Sequence, residues 1–393
     1  MDIYQKSLEL HKKHQGKLAT TGLVQIENKD DLAAWYTPGV AEPSRAIAKD
    51  PLLSFDLTLR GRTIAVISDG SAVLGLGNIG PEAGLPVMEG KSLLLKEFGD
   101  VDSFPLVINA TDPSEIVQFV RHVAPTFAGI LLEDIEAPKC FAVEEQLQNL
   151  GIPVFHDDQH GTAIVVSAAL RNAAQVVGKP FESLNVVIVG AGAAGLAVAR
   201  MLLGLNCSED RCDRLPGSRA VGDVIVVDSK GALYSGRDDQ NIYKQAVAGL
   251  SNKRRKSGSL LDVIQGADAV IGVSRPNSIT KEMIQSMAEK PIVFAMANPI
   301  PEILPDEALL AGAFVVATGR SDFPNQINNV LAFPGIFRAV VKGRLQTITH
   351  EMKEAAAQTL AELVPNPTQE SIIPDLFYPR LAEKISEAIL SVD

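Results

Sequence analysis

The chain has 393 residues, with 36 Lys and Arg against 47 Asp and Glu, a formal net charge of −11. That length predicts two domains rather than one core, and an apolar share of 46% excludes a disordered chain. The acidic balance argues against a nucleic-acid or anionic-membrane surface, since both need net or clustered basic charge.

The N-terminal stretch MDIYQKSLELHKKHQGK reads as an amphipathic helix without the apolar centre of a secretory signal. No apolar run approaches the ~20 residues of a membrane span, so a cytoplasmic location is expected. Between residues 55 and 160, strand-like runs alternate with helical stretches. The runs are TIAVISDG (63–70), FPLVINAT (104–111), GILLEDI (129–135) and IPVFHDD (152–158); the helices include PVMEGKSLLLKEFG and PSEIVQFVRHVAP. Such alternation predicts a parallel sheet covered by helices. Acids follow three of the runs: Asp69, Glu133-Asp134 and Asp157-Asp158. Ligands bind at the carboxyl ends of strands in open α/β sheets, so these acids are expected to converge there.

Glu133, Asp134 and Asp158 offer three hard oxygen ligands, which suits Mg²⁺ or Mn²⁺. Any one of them alone reads as a solvated loop acid; three at neighbouring strand ends do not. His156 and His160 bracket the segment, but Gly161 after the acids predicts a strand-to-helix turn, with the histidines in supporting or packing roles rather than as ligands. Lys91 is expected near the start of a helix. A lysine is ordinarily a surface charge, yet beside a metal and a cationic nicotinamide its pKa is expected to fall far enough for general-base work. Tyr36, in Trp35-Tyr36-Thr37-Pro38-Gly39-Val40, defaults to a half-buried packing residue.

A helix, TAIVVSAALRNAAQVVG (162–178), leads to a second alternating region: NVVIVG (185–190), DVIVVDSKG, ADAVIGVS, PIVFAMANP and FVVATG. Gly190-Ala191-Gly192-Ala193-Ala194-Gly195 follows the first of these strands and enters a helix, the context a dinucleotide pyrophosphate requires. Gly75-Leu76-Gly77-Asn78-Ile79-Gly80 matches the same pattern but lacks that context and reads as an active-site turn. Asp228 ends the next strand, 33 residues past Gly195 against the usual ~20. The insert CSEDRCDRLPGSRAVG explains the excess. A strand-terminal Asp favours NAD by bonding a ribose hydroxyl, while Ser229-Lys230-Gly231 keeps NADP possible. Cys207 and Cys212 are expected as reduced thiols in a surface loop, with a redox pair as the alternative. The basic run Lys253-Arg254-Arg255-Lys256 reads as a solvated loop. From about Phe333 the chain reads as helices of open position.

The motifs WYTPGV (35–40), SDGSAVLGLGNIGPEAGLPVMEGKSLLLKEF (68–98), LLEDIEAP (131–138), FHDDQHGTA (155–163), GAGAAG (190–195), AMANP (295–299) and TGRSDFPNQINNVLAFPG (318–335) together resemble the malic enzyme family, in its short bacterial and archaeal form. The resemblance covers nearly the whole chain in order. It implies a two-domain α/β protein: an N-terminal catalytic and metal-binding domain with a small parallel sheet (1–160), a Rossmann NAD(P)-binding domain (161–340) and C-terminal helices (341–393). It makes Glu133, Asp134 and Asp158 the metal ligands, Lys91 and Tyr36 the catalytic pair, and Asp157 their close neighbour. Asn298, Asn328 and Asn329 fall among the substrate contacts, Asn298 also beside the cofactor. The implied reaction is metal-dependent oxidative decarboxylation of malate to pyruvate by a homodimer or higher homo-oligomer. Lys91 would take the hydroxyl proton and Tyr36 would protonate C3. Longer members carry an arginine after the Asp-Gly where this chain has Ser71-Ala72; Arg320 is a candidate replacement. A malolactic conversion of malate to lactate, an amino-acid or folate dehydrogenase of similar layout, and a non-enzymatic Rossmann ligand sensor stay open.

Overall fold

The structure, a computed structural model, describes residues 2–208 and 211–392. It contains two parallel sheets joined by one long buried helix. β1 (Thr63–Ser68), β2 (Asp102–Val107), β3 (Gly129–Leu132) and β4 (Val154–His156) form the first sheet, in the order β2-β1-β3-β4. All of its pairs are parallel. β1 and β3 are buried along their whole length, as near-continuous apolar runs covered on both faces should be.

The helix before β2 spans Pro81–Gly99, so Lys91 lies in its middle rather than near its start. Pro86 looked like a helix start, yet it sits inside; Pro81 takes the first-turn position, where a missing N–H costs nothing. The linking helix likewise begins earlier than its apolar pattern, spanning Asp157–Val177 directly after β4. Asp157 and Asp158 are its first turn rather than a preceding bend, where their charges complement the helix dipole.

The second sheet contains β5 (Asn185–Val189), β8 (Asp223–Asp228), β9 (Gly231–Ala232), β10 (Ala269–Gly272), β11 (Ile292–Ala295) and β12 (Val315–Thr318), in the order β12-β11-β10-β5-β8-β9. Only β9 runs antiparallel to its neighbour. The order reverses at β5, between β10 and β8, which opens the crevice where a dinucleotide binds.

The insert before β8 is a hairpin of β6 (Leu205–Ser208) and β7 (Arg211–Arg214). Cys207 and Cys212 stand directly opposite each other in it, with Cα atoms 4.0 Å apart, and form a disulfide. The expectation of reduced thiols in a loop is thus corrected: cross-strand register, which spacing alone does not specify, brings the sulfurs together. Thiol titration of the denatured, unreduced protein should detect one thiol, the buried Cys140, rising to three after reduction. Three before reduction would refute the pairing.

The C-terminal helices Phe333–Gly343, His350–Glu362 and Leu381–Leu390 fold back onto the first half of the chain. Arg338 donates to the Gly99 carbonyl at 3.0 Å, and the Asn172 amide donates to Ala361 and Ile372 carbonyls at 2.9 Å each. Arg171, buried in the linking helix, pairs with Glu354 and Gln358. Among the described residues, no helix is long and apolar enough to cross a membrane.

Candidate active site

The adjacency of β1, β3 and β4 brings their carboxyl ends together, and backbone hydrogen bonds tie the segments that follow. The Ala72 N–H donates to the Asp134 carbonyl at 2.9 Å, and the Asp134 N–H donates to Asp158 Oδ2 at 3.0 Å. Asp134 itself has φ 53°, a left-handed turn just after β3. Two of the three expected acid clusters therefore meet. The third does not join them: Asp69 is buried against Lys139 at 2.5 Å and bonds the Ser71 hydroxyl at 2.6 Å. Its role is to hold the β1 turn, and Lys139, which satisfies it, carried no signal in the sequence.

Lys91 reaches into the acidic group from the middle of its helix. Its Nζ lies 2.6 Å from Asp157 Oδ2 and 3.0 Å from Glu133 Oε1, and 4.9 Å from the centre of the Phe333 ring. The Glu133 and Asp157 side chains are 1% and 0% exposed. Burial opposes the ammonium charge, but the Asp157, Glu133 and Asp158 carboxylates outweigh it and hold Lys91 above its ordinary value. The expected depression belongs to a lysine beside a bound cation and nicotinamide; against the carboxylates alone the shift is upward. Burial pushes Glu133 well above the usual carboxylate range.

These residues border a cavity of about 500 Å³ between the two sheets, lined by Lys91, Asp134, Asp158, Asn298, Asn328 and Asn329. Ala194 of the glycine-rich loop lines it too, so a dinucleotide seated on that loop reaches the acidic group. Gly75 also faces the cavity, with the Asn298 carbonyl 2.0 Å from where its Cβ would be. The second GxGxxG thus contributes Gly75 to the lining of the candidate cavity.

Among the described residues no three His, Cys, Asp or Glu side chains close on one point as a finished metal centre. The donor set nevertheless fits a divalent cation. Glu133, Asp157 and Asp158 surround one ammonium, Asp134 adds its charge beside Glu133, and Glu133 Oε2 is buried with no hydrogen-bond donor among the described residues. Excess buried negative charge of this kind calls for a cation, and carboxylate oxygens select Mg²⁺ or Mn²⁺. His156, fully buried, has Nδ1 4.0 Å from Asp158, while His160 Nε2 bonds Glu144 at 2.8 Å. Neither joins the cavity lining, in keeping with packing roles.

In the glycine-rich loop, a Cβ on Gly195 would lie 1.8 Å from the Gly190 carbonyl, whereas the Cβ position of Gly192 is open space. The first feature lets helix Ala193–Leu202 pack closely; the second leaves room for a pyrophosphate. Asp228 ends β8 as expected, but its carboxylate is engaged. Arg237 donates to it at 2.6 and 3.0 Å and Lys244 at 2.8 Å. Burial opposes its charge, yet these bonds hold the carboxyl far below the usual range. Lys230, the expected phosphate acceptor, has its ammonium 3.0 Å from Asp239.

Arg320 is not directed into the cavity. It pairs with Asp322 at 2.6 Å and donates to the Pro299 carbonyl at 3.0 Å, which corrects its candidacy for a substrate carboxylate. Tyr36 is 66% exposed, after the short helix Lys29–Trp35, and does not line the cavity. Sequence reasoning missed Glu302, which is fully buried and accepts from the Ser274 and Ala297 N–H groups at 2.8 and 3.0 Å. It clips together two cavity-lining loops; an acid set in the apolar run after AMANP was its available signal.

Two family models match the chain: "Malic enzyme, N-terminal domain" over residues 14–148 and "Malic enzyme, NAD binding domain" over residues 159–392. The bifunctional malic/malolactic enzyme of Bacillus subtilis is 50% identical, over 99% of this chain and 92% of its own length. The NAD-dependent malic enzyme of Geobacillus stearothermophilus is 48% identical over 95% and 76%. The NADP-dependent malic enzyme of Haemophilus influenzae is 43% identical, with 98% of this chain matching 52% of that protein. The crystal structure of the NAD-dependent malic enzyme from Thermotoga maritima superposes with a TM-score of 0.91 at 44% identity, covering 98% of this chain and 99% of that one. With both halves matched and the architecture shared from end to end, this chain belongs to the malic enzyme family.

Proposed function

We propose that malate binds in the interdomain cavity and that Lys91 takes the proton of its C2 hydroxyl. The reaction is the oxidative decarboxylation of malate to pyruvate and CO2, with reduction of a nicotinamide dinucleotide. One observation supports this reading above others: Lys91, Asp134, Asp158 and the phosphate-loop residue Ala194 line a single cavity, and Lys91 is also paired with Glu133 and Asp157.

Glu133, Asp134 and Asp158 would hold the divalent cation. When bound, the cation supplies Lewis-acid polarisation and the dinucleotide a hydride acceptor. Asn298, Asn328 and Asn329 orient the substrate by hydrogen bonding. Asp157 positions the Lys91 amino group, and Lys91 in its neutral amine form takes the C2 hydroxyl proton. Tyr36 is assigned proton delivery to C3, a role that depends on assembly. None of the described residues 2–62 is buried, and Leu23, Trp35 and Tyr36 stand 79%, 57% and 66% exposed. Apolar surface gathered this way calls for a partner, and a homodimer or higher homo-oligomer in the cytoplasm is the proposed state. The division at 1–160, 161–340 and 341–393 is proposed with it, the Asp157–Val177 helix crossing the first boundary.

NAD is the proposed preferred cofactor, because Asp228 stays ionised at the end of β8 and its two cations are already engaged with it. Asp228→Ser should free Arg237 and Lys244 for a 2′-phosphate. The NADP to NAD ratio of kcat/KM is expected to rise by about tenfold or more, the scale of one charge-assisted hydrogen bond. An unchanged ratio would remove Asp228 from cofactor selection.

The direct test follows nicotinamide reduction with L-malate and Mn²⁺, using NAD and NADP in parallel, with and without EDTA, and quantifies pyruvate. Metal-dependent reduction matched by pyruvate is the expected result. Lactate without net cofactor reduction would replace it with the malolactic reading.

A further inference from the structure

A second cavity, of about 470 Å³, lies away from the catalytic one, where the Asp157–Val177 helix, the Ala193–Leu202 helix, the Cys207 hairpin and the first turn of the His350–Glu362 helix meet. Its volume suits a small organic molecule. Arg200 borders it, stacked 5.5 Å from the Phe141 ring centre. The Arg200 Nε is buried with no hydrogen-bond partner among the described residues. Glu144 and Glu145 act on this guanidinium through space.

Lys353 borders the same space. Its Nζ lies 3.1 Å from His160 Nδ1 and makes no ion pair among the described residues. The buried acid nearby, Glu144, is already occupied: His160 bonds it at 2.8 Å, the His156 N–H at 3.1 Å and the Gln159 amide at 3.1 Å. Burial holds both Arg200 and Lys353 below their ordinary values, although Glu144 acts on each to raise it. The thirteen-residue His350–Glu362 helix, capped by Thr349, opens its positive end on the cavity beside them. Glu144, Glu145 and the exposed Glu351 also belong to the lining; Phe141, Tyr243 and Ile348 give it an apolar wall.

We propose that this second cavity binds a small organic anion, its carboxylate or phosphate gripped by Arg200 and Lys353 at the first turn of the His350–Glu362 helix. The guanidinium fork suits a planar or tetrahedral oxyanion, and the aromatic wall takes the body of the molecule. The first turn of the Asp157–Val177 helix carries both catalytic Asp158 and cavity-lining His160, so the ligand would sit one helical turn from the catalytic acids.

The test is isothermal titration calorimetry on the full-length protein saturated with NAD, so that the glycine-rich loop is filled. Inorganic phosphate and malonate serve as separate probes. At least one should bind saturably, and Arg200→Met and Lys353→Met should each weaken it by about tenfold or more, with NAD affinity unchanged. Binding of phosphate alone identifies a phosphate ester as the ligand class; binding of malonate alone identifies a carboxylate. Malonate also fits the catalytic cavity, so the variants decide. If Arg200→Met fails to fold, Lys353→Met, on a different helix, carries the test. No saturable binding of either probe, or undiminished affinity in Lys353→Met, overturns the proposal.

Discussion

Lys91→Arg should leave the protein folded and lower kcat with malate by about 10²–10⁴-fold, the usual contribution of one positioned proton-transfer group. The substitution separates two roles that the structure combines in one side chain. Lys91 neutralises buried Asp157 and Glu133, and breaking such a pair outright costs about 3–5 kcal/mol. A neutral replacement would therefore confuse lost stability with lost chemistry. Arginine keeps the positive charge among the carboxylates but does not release its proton in the working range. The melting temperature should stay close to that of the wild type while turnover collapses. Activity within a few-fold of wild type would remove Lys91 as the base and leave it as a counter-ion.

Stripping divalent cations should abolish turnover, and returning Mn²⁺ to the stripped protein should raise its melting temperature by several degrees. The stripped site holds Glu133, Asp157 and Asp158 around one ammonium, with Asp134 beside Glu133, and the Glu133 and Asp157 side chains are almost fully buried. A cation that binds only the folded state stabilises by about 2.7 kcal/mol at one hundred times its Kd. Asp158→Asn separates this from a general salt effect. Its amide oxygen can still accept the Asp134 N–H, while one of the crowded negative charges is gone. The stripped variant should melt at or above the stripped wild type, and Mn²⁺ should no longer raise it. A Mn²⁺ response equal to that of the wild type would take Asp158 out of the metal set.

Period and punctuation made much of this molecule legible. The apolar runs that became β1, β3, β5 and β8 are uninterrupted because both faces of a parallel sheet are covered, and that requirement is written locally. GAGAAG was readable for the same reason. Backbone closeness at Gly195 and openness at Gly192 are properties of the residues themselves, and the strand before and helix after them are local too. The true and false GxGxxG copies were told apart by that context.

What the sequence left open was settled by contacts between distant segments. Residue order states that Lys91, Glu133 and Asp157 exist; strand order β2-β1-β3-β4 packs their segments together and surrounds the amine with carboxylates. Asp228 read as a free ribose ligand until Arg237 and Lys244, 9 and 16 residues away, were seen to hold it. Cys207 and Cys212 read as loop thiols until hairpin register placed them opposite each other. The C-terminal helices, whose partner the sequence does not name, bury themselves against the first half of the chain through Asn172 and Gly99. The common reason is physical. Secondary structure and phosphate loops follow from backbone geometry over a few residues. Charge state, ion pairing and covalent pairing depend on which side chains share a low-dielectric space, and only the closed fold decides that.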